Sequence, residues 1–216
     1  MNNKGFTLTE TLLALVIIGV IASLTMPVIK HKSDKQEEVA RLKKAFSTMS
    51  HVTNMIIDNE GRANASNGGW ATSTKDIYTI YRQYIINAKD CGTKEKGCFS
   101  EKYTLMNNQT APTPGAGEKK YSFVMSDGTE ISMSDSDSDF SYNCSLSASG
   151  SKHVCQLIRV DVNGDKKPNK VGRDIFSFSL KSTGLYPSGC DSNLCSKKNS
   201  GWGCACKVLR EGNINY

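Results

Sequence analysis

The sequence predicts an α+β protein: a long N-terminal helix, a shorter helix, an antiparallel sheet laid on the helix, and a cystine-rich C-terminal tail. Three observations carry this prediction. An apolar run from Leu12 to Ile29 passes directly into an amphipathic pattern of helical spacing that lasts to about Asn59. Asp127-Gly128 sits between two short β-type segments, a strong hairpin signal. Eight cysteines occur, an even number in a chain whose start looks export-like, which argues for disulfides in an oxidising compartment.

The long helix is justified first. Beyond Lys30, Val39, Leu42, Phe46, Met49, Val52 and Ile56 recur at spacings of three and four, while Lys35, Glu37, Glu38, Arg41, Lys43 and Lys44 fall on the other face. Asn59-Glu60-Gly61 is a stop signal. From Phe6 to Asn59 such a helix is roughly 80 Å long. No small domain buries a helix of that length, so it protrudes into a membrane or among partner subunits. Pro27 removes one helix hydrogen bond and predicts a kink or local melting, and Gly19 is a second weak point.

The remaining elements follow in order. Residues 62–70 read as a loop, and Ser73 or Thr74 caps a second helix through about Asn87, with Ile77, Ile80, Tyr81, Tyr84 and Ile85 on its apolar face. Residues 111–117 are a Pro/Gly breaker. Tyr121–Met125 and Thr129–Met133 form the hairpin, and Ser134–Ser138 is a loop. Val154–Val162 and Asp174–Leu180 read as two last strands.

The cysteines are Cys91, Cys98, Cys144, Cys155, Cys190, Cys195, Cys204 and Cys206. No C-x-x-C occurs and the three histidines are scattered, which disfavours zinc. Local loops 91–98 and 144–155 are expected. Cys204 and Cys206 are expected to reach separately to Cys190 and Cys195. The formal charge of +6 is spread over separate lysine pairs, so no specific nucleic-acid partner is expected. No phosphate loop, H-E-x-x-H or nucleophile-base grouping is legible, so the chain is not read as an enzyme.

The first residues admit three readings. A secretory signal needs a small-residue cleavage site after its apolar core, and Ile21–Met26 supplies only a poor one. A plain anchor is short at 18 residues from Leu12 to Ile29; counted from Phe6 it has 24 but then contains Glu10. A carboxylate there is costly without a partner and is therefore a functional residue. The third reading explains these features together. Lys4-Gly5-Phe6-Thr7-Leu8-Thr9-Glu10 resembles the class III signal of type IV pilins and type II secretion pseudopilins.

That resemblance covers about the first 30 residues. It implies a leader over 1–5, cleaved between Gly5 and Phe6 by prepilin peptidase on the cytoplasmic side, and N-methylation of Phe6. It implies a transmembrane and polymerisation helix over 6–29, an amphipathic continuation over 30–59, and a head over 60–216 with the pilin fold. Glu10 then pairs with the N-terminal amine of a neighbouring subunit, and Pro27 matches a proline common in pilin helices. Implied partners are a homopolymer or mixed filament, the peptidase, an inner-membrane assembly platform and the membrane itself. Before assembly the chain is expected as a single-pass inner-membrane protein with its head outside the cytoplasm and Lys4 inside. Afterwards it lies in a periplasmic pseudopilus or an extracellular pilus. Two rival roles stand: a minor pilin or tip initiator, and a non-polymerising, membrane-anchored exported binding protein.

The connection between the last two strands is acidic. Asp161, Asn163 and Asp165 alternate as at the start of a calcium loop, although Gly164 comes too early and Gly172 stands where an EF-hand has Glu. Pilin-like proteins can carry calcium in such a loop. Two readings remain: a turn favoured by Asn163-Gly164, and a calcium site built from Asp161, Asn163, Asp165 and Asp174, with Asn169 as a further ligand. Lys166, Lys167 and Arg173 would weaken that site. Calcium is the one cofactor considered; none is required.

Overall fold

The computed structural model describes residues 5, 7–63, 70–71, 73–93, 97–99, 102–110, 120–134, 154–190 and 194–216. The chain divides into two compact units, Met1–Glu37 and Glu38–Tyr216. Helix α1, Leu8–Glu60, contributes to both.

In the first unit, apolar side chains of α1 stand exposed all round, from Leu8 to Met26. That stretch is long and apolar enough to cross a membrane. Its few hydroxyls turn back onto the helix's own carbonyls. Thr11 Oγ1 donates to Leu8 O (2.8 Å), Ser23 Oγ to Val20 O (2.8 Å) and Thr25 Oγ1 to Ile21 O (3.0 Å). These three hydroxyls are thus satisfied within the segment, as a lipid environment demands. The local melting expected at Pro27 does not occur: the helix runs on through it. One missing N–H bond is bridged by the flanking turns.

In the second unit, Val39, Leu42, Ala45, Met49, Val52 and Ile56 of α1 are buried. The helix ends at Glu60, where Gly61 takes a left-handed φ of 83°. Helix α2, Thr74–Tyr84, starts on Ser73, whose Oγ accepts from Asp76 N at 3.2 Å. It is shorter than expected. Ile85 is already extended, and Asn87–Gly92, expected as helix end and loop, forms strand β1. Pairing with the next strand outweighs the local helical pattern there.

The sheet has six antiparallel strands in sequence order. After β1 come β2 (Lys120–Met125), β3 (Glu130–Ser134), β4 (Gln156–Asp161), β5 (Ile175–Lys181) and β6 (Gly184–Pro187). The β2–β3 hairpin turns at Asp127-Gly128; Gly128 has φ 83°, and Asp127 Oδ1 accepts from Thr129 N at 3.1 Å. Strand β6 was not expected, so the acidic connection joins β4 to β5 and not the last two strands. Residues 111–117, 135–138 and Cys144 lie outside the described residues, as does most of the loop expected over 62–70.

One face of the sheet supplies Phe123, Ile131, Met133, Ile158, Val160, Phe176, Phe178 and Leu180 to a core shared with α1 and α2. The Phe46 and Phe178 rings stack 5.4 Å apart, joining α1 to β5. Thr53 Oγ1 and the buried Tyr81 hydroxyl share a 2.6 Å hydrogen bond that joins α1 to α2. A second, smaller core of Phe99, Tyr103, Val171 and Ile175 had no sequence signature. The tail is more ordered than a cystine-rich loop. A 3-10 turn at Trp202–Cys204 leads into α3, Ala205–Glu211, which buries Ala205 and Val208.

Disulfides join Cys91 to Cys98, Cys190 to Cys206 and Cys195 to Cys204. Cys155 is also disulfide-bonded. These cross-links restrict the unfolded chain around a tail with little core of its own.

The packing yields a direct expectation. Phe178→Ala removes a fully buried ring facing Phe46 and should destabilise the protein by about 3–5 kcal/mol. Ile86→Ala, at a side chain 84% exposed, should change stability by less than about 0.5 kcal/mol. Denaturant unfolding of the oxidised chain checks both; equal effects would refute the assigned core.

Candidate functional site

Two constellations contain the residues singled out from sequence. The first lies where α1 begins. Thr7 precedes the helix, and its hydroxyl accepts from Glu10 N at 3.3 Å. Glu10 Oε2 in return accepts from Thr7 N (2.8 Å) and from Thr7 Oγ1 (2.8 Å). This is a reciprocal capping box: two donors that the helix start leaves open are satisfied by the side chains that open it. Thr11 N then bonds Thr7 O at 3.2 Å as the first helical link.

The arrangement refines the role expected for Glu10. Its carboxylate is already held, within one chain, by the amide and hydroxyl of Thr7. The sequence reading passed over Thr7, although the pattern Thr-x-x-Glu before an apolar run was visible. Gly5 is exposed and open, with no atom within 4 Å of where a Cβ would stand. Phe6 lies outside the described residues. Pro27 lies within the helix, and its side chain is outside the description.

The second constellation is the β4–β5 connection. Asp161 ends β4 and Asp174 precedes β5, and both are fully buried. Two backbone amides converge on Asp174: Asn169 N at 2.7 Å and Lys170 N at 2.5 Å. Asp161 Oδ1 accepts from Asn163 N at 3.1 Å. Gly164, at φ 63°, makes the turn that Asn163-Gly164 predicts, and a Cβ there would come within 3.2 Å of Glu130 Oε1.

The Asn163 amide nitrogen donates to Asp161 Oδ1 (2.9 Å), Lys166 O (3.2 Å) and Gly164 O (3.3 Å). Asn169 Oδ1 is a buried acceptor with no hydrogen-bond partner. Asp165 stands exposed. Among the described residues no group of three or more His, Cys, Asp or Glu is arranged for a metal. Any cation here would therefore rely on amide and carbonyl oxygens beside the two carboxylates.

Burial pushes the Asp161 carboxyl up to about 8, with Asp174 and Glu130 adding repulsion against two backbone N–H bonds that oppose it. Burial also raises Asp174, against the amides of Lys170 and Asn169. Glu130, buried on β3, was not anticipated as part of this acidic group. Arg173, expected to weaken a cation site, is engaged elsewhere: its Nε donates to Glu38 Oε2 at 3.1 Å. Glu38 itself was expected on the solvated face of α1 and is buried. The adjacent Gly172 carbonyl accepts from the Tyr216 hydroxyl.

Comparison with known proteins bears on the first constellation. No curated protein and no solved structure matches the chain. One family description does match, the prokaryotic N-terminal methylation motif, over residues 1–26. That span contains Gly5, the Thr7–Glu10 box and the exposed apolar turns that follow. The chain thus carries, at the head of its long helix, the motif that is the hallmark of type IV pilins and pseudopilins.

Proposed function

We propose that this protein is a prepilin-type structural subunit, cut between Gly5 and Phe6 by prepilin peptidase, N-methylated on Phe6, and polymerised through α1 into a type IV pilus or type II secretion pseudopilus. The observation that carries the reading is the methylation motif over residues 1–26 coinciding with an apolar helix, Leu8–Met26, whose side chains stand exposed. Membrane anchoring by Leu8–Met26 before assembly fits the same pair of facts. A structural subunit accounts for them without catalysis.

In the proposed mechanism Glu10 serves twice. Before assembly, Thr7 neutralises its hydrogen-bonding demand inside lipid. During assembly, the Phe6 amine of a neighbouring subunit supplies the opposite charge in a core where an unpaired carboxylate is costly. Apolar stripes of adjacent helices then pack together, and removal of apolar surface from water and lipid favours the filament.

The β4–β5 connection is proposed as a calcium site of the head. Asp161, Asn163, Asn169 and Asp174 would hold the ion, with Gly164 and Lys166 carbonyls completing an all-oxygen set; Asp165 lies at its solvent side. The buried, unpartnered Asn169 Oδ1 beside the two buried carboxylates fits an oxygen-seeking cation. The ion would supply positive charge between two buried carboxylates.

Three outcomes are expected. Intact mass spectrometry of protein from cells with an active prepilin peptidase should show loss of residues 1–5 and one added methyl group; retention of the full chain would contradict the reading. Glu10→Val should abolish filaments while leaving membrane insertion intact, and normal filaments from that variant would remove the proposed pairing. The third concerns pH. An Asp161 carboxyl at about 8 when folded and about 3.9 when unfolded binds more protons in the folded state between those values. Stability of the metal-free protein should therefore fall as pH rises through that window. Calcium should raise Tm strongly at pH 8 and weakly at pH 5, because it replaces the protons. Asp161→Asn should flatten both dependences. A melting temperature indifferent to calcium at both pH values would retire the metal.

A further inference from the structure

We infer that Lys30 and Lys32 form a cationic collar that binds anionic phospholipid headgroups where the apolar helix leaves the bilayer. This rests on the membrane-anchored reading of α1. The apolar stretch Leu8–Met26 has 19 residues, or about 28 Å of helix, close to the ~30 Å hydrocarbon core. In sequence the apolar run reaches Ile29, so along the same helix Lys30 lies about 2 Å and Lys32 about 5 Å beyond its end. The headgroup layer occupies roughly the next 5–8 Å on that side. Both lysines are exposed, and a four-carbon stem lets each ammonium move along the surface to find a phosphate.

The angular arrangement favours lipid over a protein partner. At about 100° per residue, Lys30 and Lys32 point roughly 160° apart. Positive charge therefore stands on nearly opposite sides of the helix instead of forming one stripe. A second subunit would meet a stripe, whereas lipid meets the helix from every side.

The test uses the full chain reconstituted in phosphatidylcholine vesicles containing phosphatidylglycerol. Spin-labelled phosphatidylglycerol and spin-labelled phosphatidylcholine report their relative association with the protein. The wild type should prefer the anionic lipid, with a preference that weakens at high salt. Lys30→Gln and Lys32→Gln should each lower it by about fivefold, while Lys43→Gln, on the part of α1 within the head, should leave it unchanged. Equal association of the two lipids with the wild type, or an undiminished preference in the double variant, would overturn the collar. Flotation on a density gradient is measured alongside. A chain that floats with vesicles but shows no lipid preference refutes the collar alone; one that fails to float refutes the collar together with membrane anchoring.

Discussion

A carboxylate at the head of an apolar helix imposes the strictest constraint on this molecule. Glu10 lies one turn into a segment whose side chains belong in lipid, and lipid offers no water to satisfy it. The capping box answers the constraint locally: Thr7 donates twice to Glu10 Oε2, at 2.8 Å each, and receives Glu10 N in return. The same economy governs Thr11, Ser23 and Thr25, whose hydroxyls all return to backbone carbonyls. Glu10 thus has hydrogen-bond donors within the segment, while among the described residues its charge has no counter-ion there. A residual negative charge with its hydrogen bonds already made is suited to pair with a cation that arrives later, and that is the chemistry the filament reading requires.

The head answers a different demand placed on the same helix. From Val39 to Ile56 the apolar side chains form a stripe instead of a sleeve, and the sheet covers it. The β4–β5 connection has a central place in that unit. Its two ends carry the buried Asp161 and Asp174, Arg173 reaches Glu38 on α1, and Gly172 receives the Tyr216 hydroxyl. Its backbone also pairs with the segment around Thr104, through Thr104 N to Asn169 O (3.0 Å) and Val171 N to Thr104 O (2.9 Å). Any change in charge at Asp161 or Asp174 therefore acts on a loop that is tied to α1, to the C-terminal region and to the small second core. In this setting a cation or a proton affects stability and not merely local order.

Much of the fold was legible because its signals are local. The 3.6-residue spacing of Val39, Leu42, Phe46 and Met49 marks a helix wherever it occurs, and Asp127-Gly128 marks a hairpin through backbone conformation alone. Strands β1 and β6 were illegible for the opposite reason. Asn-Ala-Lys-Asp at 87–90 has no alternation of its own and becomes a strand only because β2 offers it a partner edge. Gly184–Pro187 is likewise a strand by virtue of β5. Glu38 shows the same limit within a helix: its type assigns it to solvent, and an ion pair with Arg173, 135 positions away in the chain, compensates its burial.

The candidate sites divide along the same line. Sequence by itself determined the N-terminal motif and the apolar span, because both depend on residues within a few turns of one another; the hydrogen bonds between Thr7 and Glu10 came from the structure. It also determined that Asp161 and Asn163 open a turn. Only the tertiary structure decided that Asp161, Asp174 and Glu130 form one buried acidic group, that Asn169 Oδ1 stands buried without a partner, and that Arg173 turns away to Glu38. Those facts depend on which strands lie side by side. Strand pairing is set by burial summed over the whole sheet, which no short window of sequence contains.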